Sequence, residues 1–273
     1  MTVLAGASAR RSVRLVAVRQ AADLVPPLIA FGGAVAFWEL LVRVMNLKQF
    51  ILPSPVAIAA AWWENLPQLT AAAAFTFGEI VAGLVLGVAG GLVIGAVTAR
   101  FGVIRTSLLP FAIAANSVPI IAFAPIFNNW FGLDSQLPKA MIAAVLVFFP
   151  VMINTVRGLL AVDPAALELL HSYAAPEITI FRRLRVPNAL PFIFTALRVA
   201  TTLATIGAIV AEYFASPVGS LGQYIATQSS FLAFDRSWAA IIFAAAIGIG
   251  LYLLVVGLER LISPWATARA GEA

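Results

Sequence analysis

Cysteine is absent from the 273 residues, and histidine occurs once, as His171. The first absence removes disulfide scaffolds, thiolate metal sites and cysteine nucleophiles. The second leaves no multi-histidine centre, so no metal site is expected. Charge is scarce as well: Asp, Glu, Lys and Arg make up 11% of the chain, against about 25% in soluble domains. Neither lysine, Lys48 or Lys139, ends a Gly-x-x-x-x-Gly-Lys-Ser/Thr phosphate loop, so ATP hydrolysis by the chain itself is not expected. One histidine and scattered carboxylates also fail to supply the clustered groups an intramembrane enzyme needs.

What the chain has in abundance is apolar surface. Hydrophobic residues are 62% of it, and mean hydropathy is +0.99. A soluble exterior cannot be built from that composition, and disorder requires low hydrophobicity. The expected class is an all-α polytopic membrane protein. Stretches long enough to cross ~30 Å of hydrocarbon fall at roughly 26–45, 72–98, 105–127, 138–157, 189–214 and 238–262, about six spans. Residues 1–25 and 263–273 are then terminal tails, flanking a membrane domain over 26–262 that contains a loop at 158–188.

The net charge of +5 and the pI of about 10.2 do not indicate nucleic-acid binding. The basic residues lie singly between apolar runs and form no stripe. With the N-terminus inside, twelve basic residues fall on inner segments. Four (Arg43, Lys48, Lys139 and Arg236) fall outside, and Arg198 lies within a span. The positive-inside rule thus predicts a multi-pass protein of the cytoplasmic (inner) membrane with both termini in the cytoplasm. Arg10, Arg11, Arg14 and Arg19 precede any apolar core and no cleavage site follows them, so they read as a tail and not a cleaved signal.

Local signals refine this outline. Ser54-Pro55 is an N-cap followed by a first-turn proline, opening a short outer helix with Ile58, Trp62 and Leu66 on one face. Trp62 and Trp63 suit the membrane interface. Gly83, Gly87, Gly91 and Gly95 recur every four residues, which predicts a close helix–helix approach, within one subunit in preference to a dimer contact. Pro110, Pro119 and Pro125 interrupt the third span, and broken helices often line cavities. Glu39, Glu79, Arg198 and Glu212 are ionisable groups within or beside spans. Arg198 is expected to pair with a carboxylate of another helix. Asn116, Asn128, Asn129 and Glu212 are candidates for a polar translocation path. An ion-coupled secondary transporter, with Glu79 and Glu212 as ion ligands, is an alternative reading, although no internal repeat is visible. A purely structural membrane subunit is another.

Residues 163–187 do not belong to the bilayer. Asp163 and Pro164 cap and open a helix expected to reach about Tyr173. Pro176 starts a second, expected to end before Pro187. Leu167, Leu170 and Tyr173 share helical spacing, as do Ile178, Phe181 and Leu184. Such faces pack either on the protein's own membrane domain or in a partner's groove. His171 carries no assigned role.

These residues carry a resemblance. Glu168-Leu169-Leu170, Ala174, Leu184, Val186 and Pro187 resemble, without a gap, the Glu-Ala-Ala loop of binding-protein-dependent ABC transporter permeases. Leu169 and Leu170 stand where that pattern has alanines, and Ala174 where it has a glycine; glycine there supplies an αL turn that alanine tolerates poorly. Trp38-Glu39, Ile51-Leu52-Pro53-Ser54-Pro55, Trp130-Phe131-Gly132, Phe149-Pro150 with Asn154-Thr155, and Ala211-Glu212-Tyr213-Phe214 resemble the nitrate, taurine and sulfonate branch. Asn128-Asn129-Trp130-Phe131-Gly132 is also similar to permeases for pyrimidine thiamine precursors or riboflavin. The resemblance implies a type I importer permease that binds no cofactor itself. A separate ATPase subunit uses ATP and Mg, a substrate-binding protein docks outside, and a second permease copy, as a homodimer, completes the path. It implies that Glu168, Leu167, Leu170, Tyr173, Ala174, Phe181, Leu184 and Pro187 couple the permease to the ATPase.

Overall fold

The computed structural model describes residues 25–133, 135–214 and 219–265, and every regular element among them is helical. The tail residues Arg10, Arg11, Arg14, Arg19 and Arg269 lie outside the described residues. In chain order the α-helices are α1 (Val25–Val44), α2 (Pro55–Glu64), α3 (Leu66–Arg100), α4 (Gly102–Ala115), α5 (Ala124–Phe131), α6 (Leu137–Leu160), α7 (Pro164–Ser172), α8 (Glu177–Ile180), α9 (Val186–Phe214), α10 (Leu221–Ser230) and α11 (Phe234–Ile262). The start of α2 is the expected cap, with Ser54 Oγ accepting the Ala57 N–H at 3.2 Å.

The glycine stripe of α3 lies against α6. A Cβ on Gly83 would sit 2.5 Å from the Ala143 Cβ, and one on Gly87 2.5 Å from the Ala144 carbonyl oxygen. On Gly91 it would meet the Val151 Cβ at 2.8 Å, and on Gly95 the Thr155 Cβ at 2.8 Å. The stripe is therefore used within the chain, as expected. Its partners also rise in number along with it, so α3 and α6 run parallel. Two parallel neighbours force the intervening chain to return across the membrane. Only α4 and α5 are available to do so, and they are joined at a bend of 84°. The bent pair is thus one crossing, and the described residues cross six times.

Chemistry explains where that crossing breaks. Pro119 lacks an N–H and ends the stretch that follows α4, a 3₁₀ turn spans Ile120–Phe123, and Pro125 occupies the first turn of α5. Pro110, in contrast, remains inside α4.

The other crossings alternate. A Cβ on Gly158 of α6 would meet Ala189 of α9 at 2.8 Å, while one on Gly207 would lie 3.2 Å from Ala143, so α6 and α9 are antiparallel. Helix α11 runs antiparallel to α9, with Gly248 beside Thr205 and Glu259 paired with Arg198. The last turns of α1 reach the start of α11, where Trp38 and Trp238 meet edge-on at 5.3 Å. The start of α1, the end of α11 and the α7–α8 loop consequently lie at one end, called here the loop end; α2 and α10 lie at the far end. The centre is filled with small residues: Ala143, Ala196, Ala200, Ala204 and Ala208 pack with Ile80, Val147 and Val151. Small side chains let backbones approach, and van der Waals packing drives association where the surrounding lipid is as apolar as the helices.

One expectation is corrected. The second loop helix does not end before Pro187 but runs on as one helix, Glu177–Phe214. A π-turn over Phe181–Arg185 joins α8 to α9. Proline cannot donate to the i−4 carbonyl and its ring crowds it. The widened turn just ahead of Pro187 absorbs that conflict without ending the helix.

Candidate functional site

The α7–α8 loop is built from caps. Asp163 Oδ1 accepts the Ala165 N–H at 3.0 Å, satisfying an orphan donor of α7. The helix closes with the Ala174 N–H on the His171 carbonyl at 2.9 Å and the Ala175 N–H on the Leu170 carbonyl at 3.1 Å. Ala174 takes φ +51° there. The αL turn is therefore kept, and alanine bears its strain. Ala174→Gly should stabilise the full chain by ~1 kcal/mol and Ala174→Val destabilise it at least as much, read as thermal melts in detergent.

On this loop Glu168, Leu169, Tyr173, Ala174 and Ile178 are exposed, Tyr173 at 77%. Leu167, Leu170, Leu184 and Pro187 are half-buried. Phe181 turns inward, packing with Ala99, Leu159 and Ala189. The root of the loop is clamped by a residue that sequence reasoning passed over. Asn188 Nδ2 donates to the Gly158 carbonyl at 3.0 Å and the Ala161 carbonyl at 2.9 Å. It thereby fills carbonyls left open at the end of α6. Gly158, also passed over, allows the close approach of α9. An amide following a helix-start proline was the available signal, but its partners lie 27 and 30 positions away.

A second polar cluster is buried toward the far end. The Thr76 hydroxyl donates to Glu212 Oε1 at 2.7 Å, and the Gly222 N–H donates to Glu212 Oε2 at 2.8 Å. Thr76 Oγ1 in turn accepts the Leu221 N–H at 3.0 Å. The three bonds tie the start of α10 to α3 and α9. The Glu79 carboxyl group lies against that of Glu212, fully buried and without an N–H or O–H donor. Buried Lys139 acts electrostatically on both carboxyl groups and donates to the Leu133 and Ser135 carbonyls at 2.8 and 3.2 Å.

The remaining candidates are dispersed. Asn116 ends α4 at the bend and is exposed, as is Asn129. Asn128 is buried. Arg198 meets its expected carboxylate partner in Glu259. Glu39 pairs with Arg43 at 2.6 Å and accepts the Val56 N–H at 3.2 Å, joining α1 to α2.

Six apolar crossings, with a capped helical excursion between the fourth and fifth, agree with the type I ABC importer permease fold. Residues 87–267 match the family described as the binding-protein-dependent transport system inner membrane component, and the chain belongs to that family. It is similar to the formylaminopyrimidine transport permease protein ThiX of Halalkalibacterium halodurans, 28% identical, with 91% of this chain and 98% of the relative covered. The riboflavin transport system permease protein RibX of Chloroflexus aurantiacus is 30% identical, over 84% and 85%. The putative aliphatic sulfonates transport permease protein SsuC of Escherichia coli is 31% identical, over 89% and 93%. The family sets aside the ion-coupled carrier and the purely structural subunit.

Proposed function

We propose that this permease moves a small organic solute inward, of the sulfonate, pyrimidine or flavin kind that its relatives are named for. A partner ATPase grips the α7–α8 loop from the cytoplasm. The observation that carries this reading is the loop itself. It presents Leu169, Tyr173 and Ile178 to solvent, at the end where Arg100, Arg105, Arg157, Arg182, Arg183, Arg185 and Arg260 gather. That basic end is the cytoplasmic side by the positive-inside rule. The Asn188 clamp makes the loop a handle: a push on α7 reaches α6 and α9 instead of dissipating in a hinge. Glu168 supplies a charge-assisted bond that orients the docked helix.

Two copies of the chain enclose the path, with a binding protein delivering the solute at the far end. The broken crossing supports this, since it leaves Phe111, Ile113 and Trp130 exposed. Asn116 and Asn129, exposed on the same crossing, line the path, while Asn128 and Glu212 support it from behind.

The test is Glu168→Ala combined with Leu170→Asp in proteoliposomes carrying the ATPase and binding protein. Insertion should be unchanged and uptake per ATP hydrolysed should fall at least about tenfold, the equivalent of ~1.4 kcal/mol of lost coupling. Wild-type uptake by this variant with the ATPase bound would remove the handle assignment.

A further inference from the structure

A cavity of about 780 Å³ opens at the loop end, between the last turn of α3, the start of α4, the end of α6 and the α8–α9 junction. Val97, Phe101, Leu159, Ile178 and Phe181 give it apolar walls, while Arg100, Arg105 and Arg185 bring three guanidinium groups to it against one carboxylate, Glu177. None of the three arginines forms an ion pair among the described residues. The Nε of Arg185 is buried without a hydrogen-bond partner. A guanidinium hydrates weakly and binds oxyanions in a fixed fork, but a buried N–H left unmade is costly.

A further donor set points the same way. Phe101 and Gly102 line the cavity where α4 begins, and that helix has no capping side chain and no acidic residue in its first turn. Its free N–H groups and dipole favour an anion. Arg100 closes a crossing, Arg105 lies in the first turns of the next, and Arg185 immediately precedes α9. All three therefore stand where hydrocarbon gives way to headgroups. A cationic floor with apolar walls at that depth is complementary to an anion that carries hydrocarbon, and a soluble anion would leave the apolar walls unused.

We propose that this cavity binds the phosphate headgroup of an anionic phospholipid, with the acyl chains leaving along Val97 and Phe101. Basic pockets between crossings hold anionic headgroups by the same charge complementarity. The inference rests on the chain's place in the membrane and not on the ATPase handle, so either can fail without the other.

The purified full chain, exchanged into micelles containing phosphatidylglycerol or phosphatidylcholine, tests it by native mass spectrometry. Phosphatidylglycerol should be retained preferentially. Arg105→Gln and Arg185→Gln should each weaken retention about fivefold, as expected for one cation at a membrane surface. Arg183→Gln, the same loss of charge outside the cavity, should leave it unchanged. A photoactivatable phosphatidylglycerol on the unaltered chain should label Val97 or Phe101, a readout independent of how the variants fold. Equal retention of phosphatidylcholine, equal weakening by Arg183→Gln, or labelling elsewhere would overturn the site. Displacement of the lipid by inorganic phosphate would assign the cavity to a soluble anion. Arginine variants that lose ATPase assembly but keep lipid would assign it to the partner protein.

Discussion

Gly87→Leu is expected to yield almost no folded protein, while Gly257→Leu should behave like the wild type. A Cβ at Gly87 would lie 2.5 Å from the Ala144 carbonyl oxygen and 2.7 Å from the Val147 Cβ, and neither is the yielding tip of a long side chain. Ordinary overpacking costs about 1–3 kcal/mol, because side chains can shift. Here the first obstacle is the backbone of a neighbouring helix, so relief requires α3 and α6 to separate. Separation would also strip contacts at Gly83, Gly91 and Gly95, whose neighbours are as close. It would loosen α6 from α9 as well, since Ala143, Val147 and Val151 belong to the same cluster as Ala196, Ala200, Ala204 and Ala208. No hydrophobic force restores the pair in lipid. Nothing lies within 4 Å of a Cβ at Gly257, so leucine there meets lipid and improves helix propensity. The measurement is the monodisperse fraction after detergent extraction, followed by a thermal melt. A Gly87→Leu protein that extracts and melts normally would mean that the parallel α3–α6 contact does not hold the fold together.

The parts of this architecture written locally are legible in the sequence. Apolar length gave the six crossings, because bilayer thickness sets a count that each stretch meets by itself. Ser54-Pro55 and Asp163-Pro164 marked helix starts, since capping involves donors only two or three residues on. The four-residue glycine period announced a groove. What it did not announce was direction: nothing within 83–95 indicates that α6 runs parallel to α3. That arrangement is what makes the bent α4–α5 segment a full crossing. The π-turn was missed because a proline at 187 is as compatible with a helix start as with a widened turn; continuity with α9 decided between them. The Glu212 cluster was out of reach for a simpler reason. Thr76 and Glu212 are 136 positions apart, and no periodicity spans such a separation. Residue type identified Glu79 and Glu212 as costly in a membrane, and only the fold shows what each one touches.

Glu212→Ala should detach the start of α10, and Glu212→Gln should leave it largely in place. Alanine removes both acceptors, leaving the Thr76 hydroxyl and the Gly222 N–H unmade in a buried site, at about 1–3 kcal/mol each. The loss spreads further, because Thr76 also receives the Leu221 N–H, and a hydroxyl without its own acceptor is free to rotate away. It would remain in the neighbourhood of α10, since Gly222 packs so tightly that a Cβ there would lie 2.4 Å from the Ile209 carbonyl oxygen. Glutamine keeps one oxygen for the Gly222 N–H, and its amide N–H₂ can donate to the Glu79 carboxyl group, which otherwise has no donor. Exchanging a carboxyl–carboxyl contact for an amide–carboxyl one offsets much of the lost bond to Thr76. A thermal melt of the full chain, together with thiol labelling of Gln228→Cys in α10, separates the outcomes. Alanine should lower the melt and speed labelling severalfold, while glutamine should change both only slightly. Equal, large effects of the two substitutions would mean that one oxygen and an amide cannot stand in for the carboxyl group, and that the contact with Glu79 does not offset the lost bond to Thr76.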